Sequence, residues 1–511
     1  MGLSLHPSTA ALAAPADAPQ SPSGKKRDFI ARSFPASKAM HLRNWSSPLS
    51  SDASNREQSY RGLFNLGVII LLLSNMRMIV DNLKRYGVLI KLPFTTPASP
   101  GAEPSFIAFS DMGQGLLSWL LSIVLCYAVE KVASRGGLSD RVVLLLQDLL
   151  GICNIVLPTL WVWTSKAHPS SSMIFLFQSV IIWMKLISYA HVNRDLRRTA
   201  RYQKEELKKS SPPPGSPLGR SGSANFSISS ATLADTSLSV DSNGKPIISN
   251  IFAEIQDLEP PYLSYPMNLT VTNMLYFCAV PTLCYQLNYP RSPRIRWRYI
   301  FSLIVRMTVV GSIVIFAVEQ YIRPTLEASI SAIETLNGFE LFRRLLRLSI
   351  PNTYVWLLGF YWFFHLWLNL FAELTRFGDR LFYKDWWNSR TIEQYWRNWN
   401  IPVHSWMLRH FYHPLVRVKV PKNVATFGCF LLSALLHELI ISTPFHVYTL
   451  HAFSGMMAQV PLIFLTKIVD RTFDNAFVGN AIFWAVFCGV GQPRGALLYY
   501  YDIWKMTKAG G

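Results

Sequence analysis

Nine separate stretches of about 20 mostly apolar residues constrain this chain more than anything else in it, because an α-helix of that length crosses the hydrocarbon core of a bilayer. They lie near Leu63–Val80, Gly115–Val132, Val142–Trp163, Ser171–Ala190, Tyr299–Gln320, Thr353–Glu373, Val424–Ser442, His451–Ile468 and Ala476–Tyr500. In lipid every backbone N–H and C=O needs an internal partner, and stretches this long meet that need as helices. The expected fold is all-α: a polytopic membrane protein of about nine transmembrane helices. Gly491–Pro493 is expected to interrupt the last of them.

Composition agrees. Only 15% of the 511 residues are charged and half are apolar, whereas a soluble domain carries about 25% charged residues. The net charge of +19 therefore points to a membrane surface, and no nucleic-acid partner is expected. Lys and Arg divide unevenly between alternate loops, about 35 against about 10, and positive loops stay cytosolic. This places the N-terminus in the cytosol and, after nine spans, the C-terminus on the far side.

The membrane domain is expected over residues 59–505. Residues 1–58 have no apolar run near the start, which argues against a signal peptide, and read as a disordered cytosolic tail or a regulatory or oligomerising arm. Between the fourth and fifth spans, Arg194, Arg197, Arg198 and Arg201 mark a basic surface suited to anionic lipid. The insert at 208–250 that follows is low-complexity, a spacer or a phosphorylated regulator. None of the six cysteines forms a C-x-x-C pair, and all are read as packing residues.

The loop from Thr375 to Asn423 is dense in tryptophan: Trp386, Trp387, Trp396, Trp399 and Trp406. Amphipathic rings of this kind gather at membrane interfaces. Ile392, Tyr395, Trp396 and Trp399 share one helical face, Thr391 with Gln394 can cap its start, and Pro402 stops or kinks it just after Asn400. An amphipathic helix lying in the cytosolic interface is expected there.

Ionisable groups inside a span are costly unless paired or hydrated. His437 and Glu438 stand in the apolar run Phe430–Ile441. The zinc motif H-E-x-x-H would need a second histidine at Ile441, so no metal is expected. A hydrogen bond between helices is one reading; the other is acid–base work, since a histidine near neutrality can take a proton from an alcohol. Glu438 points about 100° away from His437, which suits holding neighbouring helices or hydrating a cavity. Asn369, Glu373, Gln459 and Gln492 are further candidates to line it, Gln492 most of all because Pro493 frees backbone groups beside it. Arg77 and Lys185 lie near span ends, where snorkelling explains them.

Phe382-Tyr383-Lys384-Asp385-Trp386-Trp387-Asn388 matches the F-Y-x-D-W-W-N motif of the membrane-bound O-acyltransferase branch containing the sterol and diacylglycerol acyltransferases. Further stretches resemble the type 1 diacylglycerol acyltransferases of that branch: Tyr60-Arg61-Gly62, Pro281 to Tyr285, Pro290 to Arg294, Asn398 to His404, and Gly491-Gln492-Pro493. The resemblance covers about residues 60–505. The insert is longer than the family leads one to expect, and the tail matches no pattern.

The resemblance implies transfer of a fatty acyl group from acyl-CoA to diacylglycerol, with sterol or fatty alcohol as the alternative acceptor. It makes His437 the catalytic base, with Asn400 also in the site, and makes Glu438, Gln492 and His404 site-lining. It places Phe382, Tyr383, Asp385, Trp386, Trp387 and Asn388 at the acyl-CoA. It further implies an endoplasmic reticulum membrane, a homodimer or homotetramer, and no cofactor, acyl-CoA being a substrate. No Ser or Cys has an adjacent base in sequence, which favours direct transfer over an acyl-enzyme. A transporter would show inverted repeats of broken helices, and the sequence has none.

Overall fold

A computed structural model of the chain describes residues 60–86, 112–164, 169–210, 263–473 and 476–509. The expected tail at 1–58 and positions 211–250 of the insert lie outside the described residues. The main helices are α1 (Arg61–Tyr86), α2 (Met112–Ser134), α3 (Asp140–Thr164), α4 (Pro169–Ser210), α5 (Val271–Ala279), α6 (Trp297–Ala317), α7 (Gly338–Phe360), α8 (Ile392–Trp399), α9 (Ile401–Met407), α10 (Lys422–Ser442), α11 (His451–Met457), α12 (Gln459–Phe473), α13 (Ala476–Val486) and α14 (Gln492–Ala509). Among the described residues there is no strand, only an isolated bridge between Arg291 and Phe377.

Eight helical runs among the described residues are long and apolar enough to cross a membrane, from Leu117–Ser134 to Val478–Lys508. They correspond in order to the second to ninth expected spans. The first stretch folds within α1, but its apolar part, Arg61–Ser74, is shorter than a crossing. Charged residues from Arg77 onward end the apolar pattern.

Among the described residues four π-helical turns punctuate the bundle: Val318–Ile322, Tyr361–Trp367, Leu408–Tyr412 and Phe487–Gly491. The last replaces the expected interruption. The Gln492 N–H donates to the Phe487 carbonyl across the wider turn, so α13 runs into α14 and Pro493 forfeits one bond without breaking the rod.

Helix α4 has 42 residues, about 63 Å at 1.5 Å per residue, twice a hydrocarbon core. Its basic end is a junction. Arg197 reaches Glu130 at 2.6 Å and Asp140 at 3.1 Å, tying α4 to α2 and α3. Of the basic run expected to face lipid, Arg197 thus turns inward, with 3% of its side chain exposed, while Arg198 and Arg201 stay outside.

Lys185 does not snorkel. It is buried, and its Nζ donates to the carbonyls of Phe277, Cys278 and Val280 at 2.8, 3.0 and 2.7 Å. These lie at the C-terminal end of α5, where unpaired carbonyls and the helix dipole both favour a cation. The ammonium's three donors are all used.

The tryptophans expected at the interface are largely inside. Trp386, Trp387 and Trp406 are buried, and Trp386 packs against Trp356, Phe360, Tyr395 and Trp484 with ring centroids 5.0–6.0 Å apart. Helix α8 forms as expected, with the Thr391 hydroxyl accepting from the Gln394 N–H at 3.2 Å. Its apolar face meets Phe483 and Phe487 of the α13 run. An apolar stripe marks a buried face but does not say whether lipid or protein covers it; here protein does. The six cysteines are free.

Candidate active site

Helix α10 carries His437 and Glu438. His437 is exposed, an unusual state for a histidine in an apolar span. The α-helical repeat of 3.6 residues sets it between Phe430 and Ile440, both of which pack against the aromatic core. The ring is therefore exposed on the side of the helix that packs toward that core, a different face from exposed Leu435 and Val424. Its Nδ1 lies 2.7 Å from the Ser433 carbonyl. A carbonyl oxygen only accepts, so Nδ1 carries the proton and Nε2 keeps its lone pair.

Glu438 is buried and accepts four hydrogen bonds: Ser442 Oγ at 2.6 Å, and Leu450 N–H, Phe453 N–H and Tyr499 hydroxyl at 3.0 Å each. The two N–H groups belong to the start of α11, where a carboxylate answers the positive end of the dipole. These bonds join α10 to the start of α11 and, through Tyr499, to α14. Alongside, Tyr499 accepts from the Ala452 N–H at 2.8 Å, and His451 Nε2 meets Asp502 at 2.7 Å. Glu438 sits among these groups and directs its carboxylate to them.

Asn400 is the joint between α8 and α9. Its Oδ1 accepts from the Val403 N–H at 3.2 Å, an N-cap with Pro402 in the first turn. That explains the break after Trp399: proline cannot donate, and the cap restarts the helix. The joint is laced to the acyltransferase-like motif by Lys384 N–H to Asn398 O at 2.7 Å and Ile401 N–H to Phe382 O at 3.0 Å. Farther along, Val403 and Met407 share a cluster with Leu432, Leu436 and Ile440 of α10. Asn400 and His437 thus stand on neighbouring elements without a direct bond. Half-buried His404 follows on α9; burial, then Arg397 and Lys384, hold its ring below the ordinary histidine value.

Within the motif, Phe382, Tyr383, Trp386 and Trp387 are buried, and Lys384 and Asp385 are exposed. Tyr383 bonds His365 Nδ1 at 2.9 Å. Asn388 Oδ1 accepts from the Gly62 N–H at 2.6 Å, and the Trp387 ring stacks parallel to Tyr60. Gly62 has to be glycine, since a Cβ would overlap the Trp387 carbonyl. Phe382 lines a cavity. That space, about 160 Å³, is bounded by Pro281, Thr282, Cys284, Phe377, Asp379, Leu381, Phe382, Ile401, Pro402 and Ser405. Three stretches singled out in the sequence converge on it, although its lining does not include His437.

Most of the other intramembrane candidates are engaged elsewhere. Buried Asn369 donates to the His365 carbonyl at 2.7 Å. Glu373 is fully buried between Arg296 at 3.0 Å and Arg380 at 2.6 Å. Gln459, at the start of α12, donates Nε2 to the Gly455 carbonyl of α11 at 3.3 Å. Gln492 is half-buried directly after the π turn.

Two residues escaped the sequence reading. His365, inside an apolar span, carried the same signal as His437 and could have been found by it. Asn480, buried on α13, carried none, because its partners are 91, 93 and 415 residues away.

The membrane-bound O-acyltransferase family model matches residues 160–492. Diacylglycerol O-acyltransferase 1C of Glycine max is 38% identical over 465 residues, 91% of this chain and 79% of that protein. Diacylglycerol O-acyltransferase 1 of Corylus americana is 37% identical over 485 residues, 94% and 79% of the two chains. The Arabidopsis thaliana protein of the same name is 36% identical over 466 residues, 91% and 77%. With a match across most of the membrane bundle, and relatives that run nearly its full length, this chain belongs to the membrane-bound O-acyltransferase family.

Proposed function

We propose that this chain transfers a fatty acyl group from acyl-CoA to the free hydroxyl of diacylglycerol, giving triacylglycerol and CoA. The relatives' names supply the substrate class. The observation that carries the chemistry is the single tautomer held at exposed His437, whose Nε2 keeps its lone pair while Nδ1–H is tied to the Ser433 carbonyl.

In this reading Nε2 takes the hydroxyl proton as the oxygen attacks the thioester carbonyl. The C–S bond breaks, and the proton passes from the imidazole to the CoA sulfur, so the exchange balances without a cofactor. Asn400 uses Oδ1 as a cap, which leaves its Nδ2 to donate to the developing oxyanion, a role worth about 3–4 kcal/mol where it has been removed elsewhere. Glu438 contributes by anchoring α11 against α10. Phe382 and exposed Asp385 of the motif contact acyl-CoA, Gln492 and His404 line the site, and Tyr383, Trp386, Trp387 and Asn388 hold the motif in shape.

The same reading puts the protein in the endoplasmic reticulum membrane as a homodimer or homotetramer, N-terminus cytosolic and C-terminus lumenal, an orientation that requires α1 to make a ninth crossing in addition to the eight long apolar helices. The charge bias between loops supports the orientation. Terminal epitope tags probed by protease in sealed microsomes test it.

The activity is tested in membranes of a host lacking neutral-lipid synthesis, supplied with labelled oleoyl-CoA and diacylglycerol, cholesterol or hexadecanol. Triacylglycerol from the wild type and none from His437→Ala is the expected result. Sterol ester in its place overturns the acceptor, and equal product from both proteins removes His437 from the mechanism.

A further inference from the structure

The carboxamide of Asn480 is buried, with 3% exposure, and fully engaged. Its Nδ2 donates to the main-chain oxygens of Trp387 at 2.9 Å and Ser389 at 2.8 Å, while its Oδ1 accepts from Asn65 Nδ2 at 2.7 Å. Trp484, one turn along the same helix, donates Nε1 to the same Trp387 oxygen at 3.3 Å. A side chain with two donors and one carbonyl oxygen is thereby matched to two carbonyls and one amide. Nothing else about α13 calls for an asparagine: its surroundings are aromatic and apolar, and a buried amide without partners would be costly there.

What the bonds join matters more than how many there are. Trp387 and Ser389 close the motif that the proposed function assigns to acyl-CoA, at the end of its short 3-10 turn, Trp386–Asn388. A turn that short fixes few torsions by its own bonds, so its exit direction is set from outside. Asn480 sets it from the α13 side, and Asn65, on α1, orients Asn480.

We infer that Asn480 is a positioning residue of the acyl-CoA site, holding the exit of the motif through Trp387 and Ser389 and coupling it to α1 through Asn65. It touches no reacting atom. The motif is laced on its other edge to the Asn398–Ile401 joint by main-chain bonds, so displacement of its exit is passed to Phe382 and to the turn at Asn400. The inference rests on the assignment of the motif to acyl-CoA.

The test measures KM separately for oleoyl-CoA and for diacylglycerol, in membranes carrying equal amounts of full-length wild type, Asn480→Ala, Asn65→Ala and Phe382→Ala. Loss of the buried bonds in Asn480→Ala is expected to raise KM for oleoyl-CoA about tenfold and to leave KM for diacylglycerol within about twofold. A structural role alone would lower Vmax with both KM values unmoved. That outcome, or an equal rise in both, overturns the inference. If Asn480→Ala does not accumulate, Asn65→Ala carries the test, with about a threefold rise expected for removing one orienting bond; an unchanged KM overturns it. Phe382→Ala separates the two layers. A raised oleoyl-CoA KM there with none in the asparagine variants keeps the motif's role and sinks Asn480, whereas no change in any variant sinks the assignment of the motif as well.

Discussion

His437 and Glu438 are adjacent in the chain and share no partner: one is tied to the carbonyl a turn before it, the other to a turn of helix and a tyrosine beyond it. The division separates chemistry from architecture. His437→Ala is expected to lower acyl transfer by at least about 10²-fold, in the range general bases supply, with the thermal midpoint in detergent near that of the wild type. A large fall in that midpoint would mean the ring is structural.

Glu438→Gln keeps one oxygen and replaces the other with an amide that faces donors. Each group left unsatisfied in the buried cluster costs about 1–3 kcal/mol, so the variant melts several degrees lower. Tyr499→Phe, which removes one of the four donors, gives a smaller drop. Activity per folded molecule should fall less in either than in His437→Ala. Full stability in Glu438→Gln would show that the cluster does not hold α11.

At Asn400 two functions can be pulled apart. Asn400→Asp keeps an oxygen for the Val403 N–H but has no Nδ2 donor, while Asn400→Ala loses both. The cap is worth about 1 kcal/mol. Stability should therefore drop in the alanine variant and hold in the aspartate variant, and kcat should drop in both. An active Asn400→Asp would leave the residue as a cap alone.

The Glu373 cluster predicts stability, not rate. Removing one member of a buried ion pair costs about 3–5 kcal/mol by stranding the others, and Glu373 is flanked by Arg296 and Arg380. Glu373→Gln is expected to accumulate poorly, read as folded protein on size-exclusion of detergent extracts. Normal yield and melting would show that the arginines find water instead.

Acid should loosen the joint behind α9. His410 bonds Ser188 through Nε2 at 2.8 Å and His191 through Nδ1 at 3.2 Å. Burial first, then His191 and Arg409, depress its value well below the ordinary 6.5. The unfolded chain then binds a proton that the folded one refuses. Stability from this group is complete above about pH 6.5 and is lost as pH falls below that toward the folded value. Melting midpoints measured from pH 8 to 5 should fall on the acid side, and less steeply in His410→Gln.

How much of this could be read beforehand follows from the range of each signal. The spans were legible because length and apolarity are local properties, and so was the start of α8, since Thr391 and the Gln394 N–H it accepts from lie within one turn. His437 stood out by being ionisable in an apolar run. The burial of Trp386 and the inward turn of Arg197 were not legible, because a ring or a guanidinium suits a lipid headgroup as well as an interior partner. Lys185 failed for the same reason: its three carbonyls come from α5, some 90 residues on. Asn480 is the extreme case, an amide whose meaning lies entirely in partners that sequence spacing does not bring together.

The π turn at Phe487–Gly491 is a wound-in extra residue. Deleting one position there would let the rod relax to ordinary α-helical winding and rotate everything beyond it by about 100°. Tyr499 would swing off Glu438, and Asp502 off His451, with every one of those side chains still present. In this part of the molecule, spelling is less critical than counting: a substitution can be absorbed, and a single-codon deletion cannot.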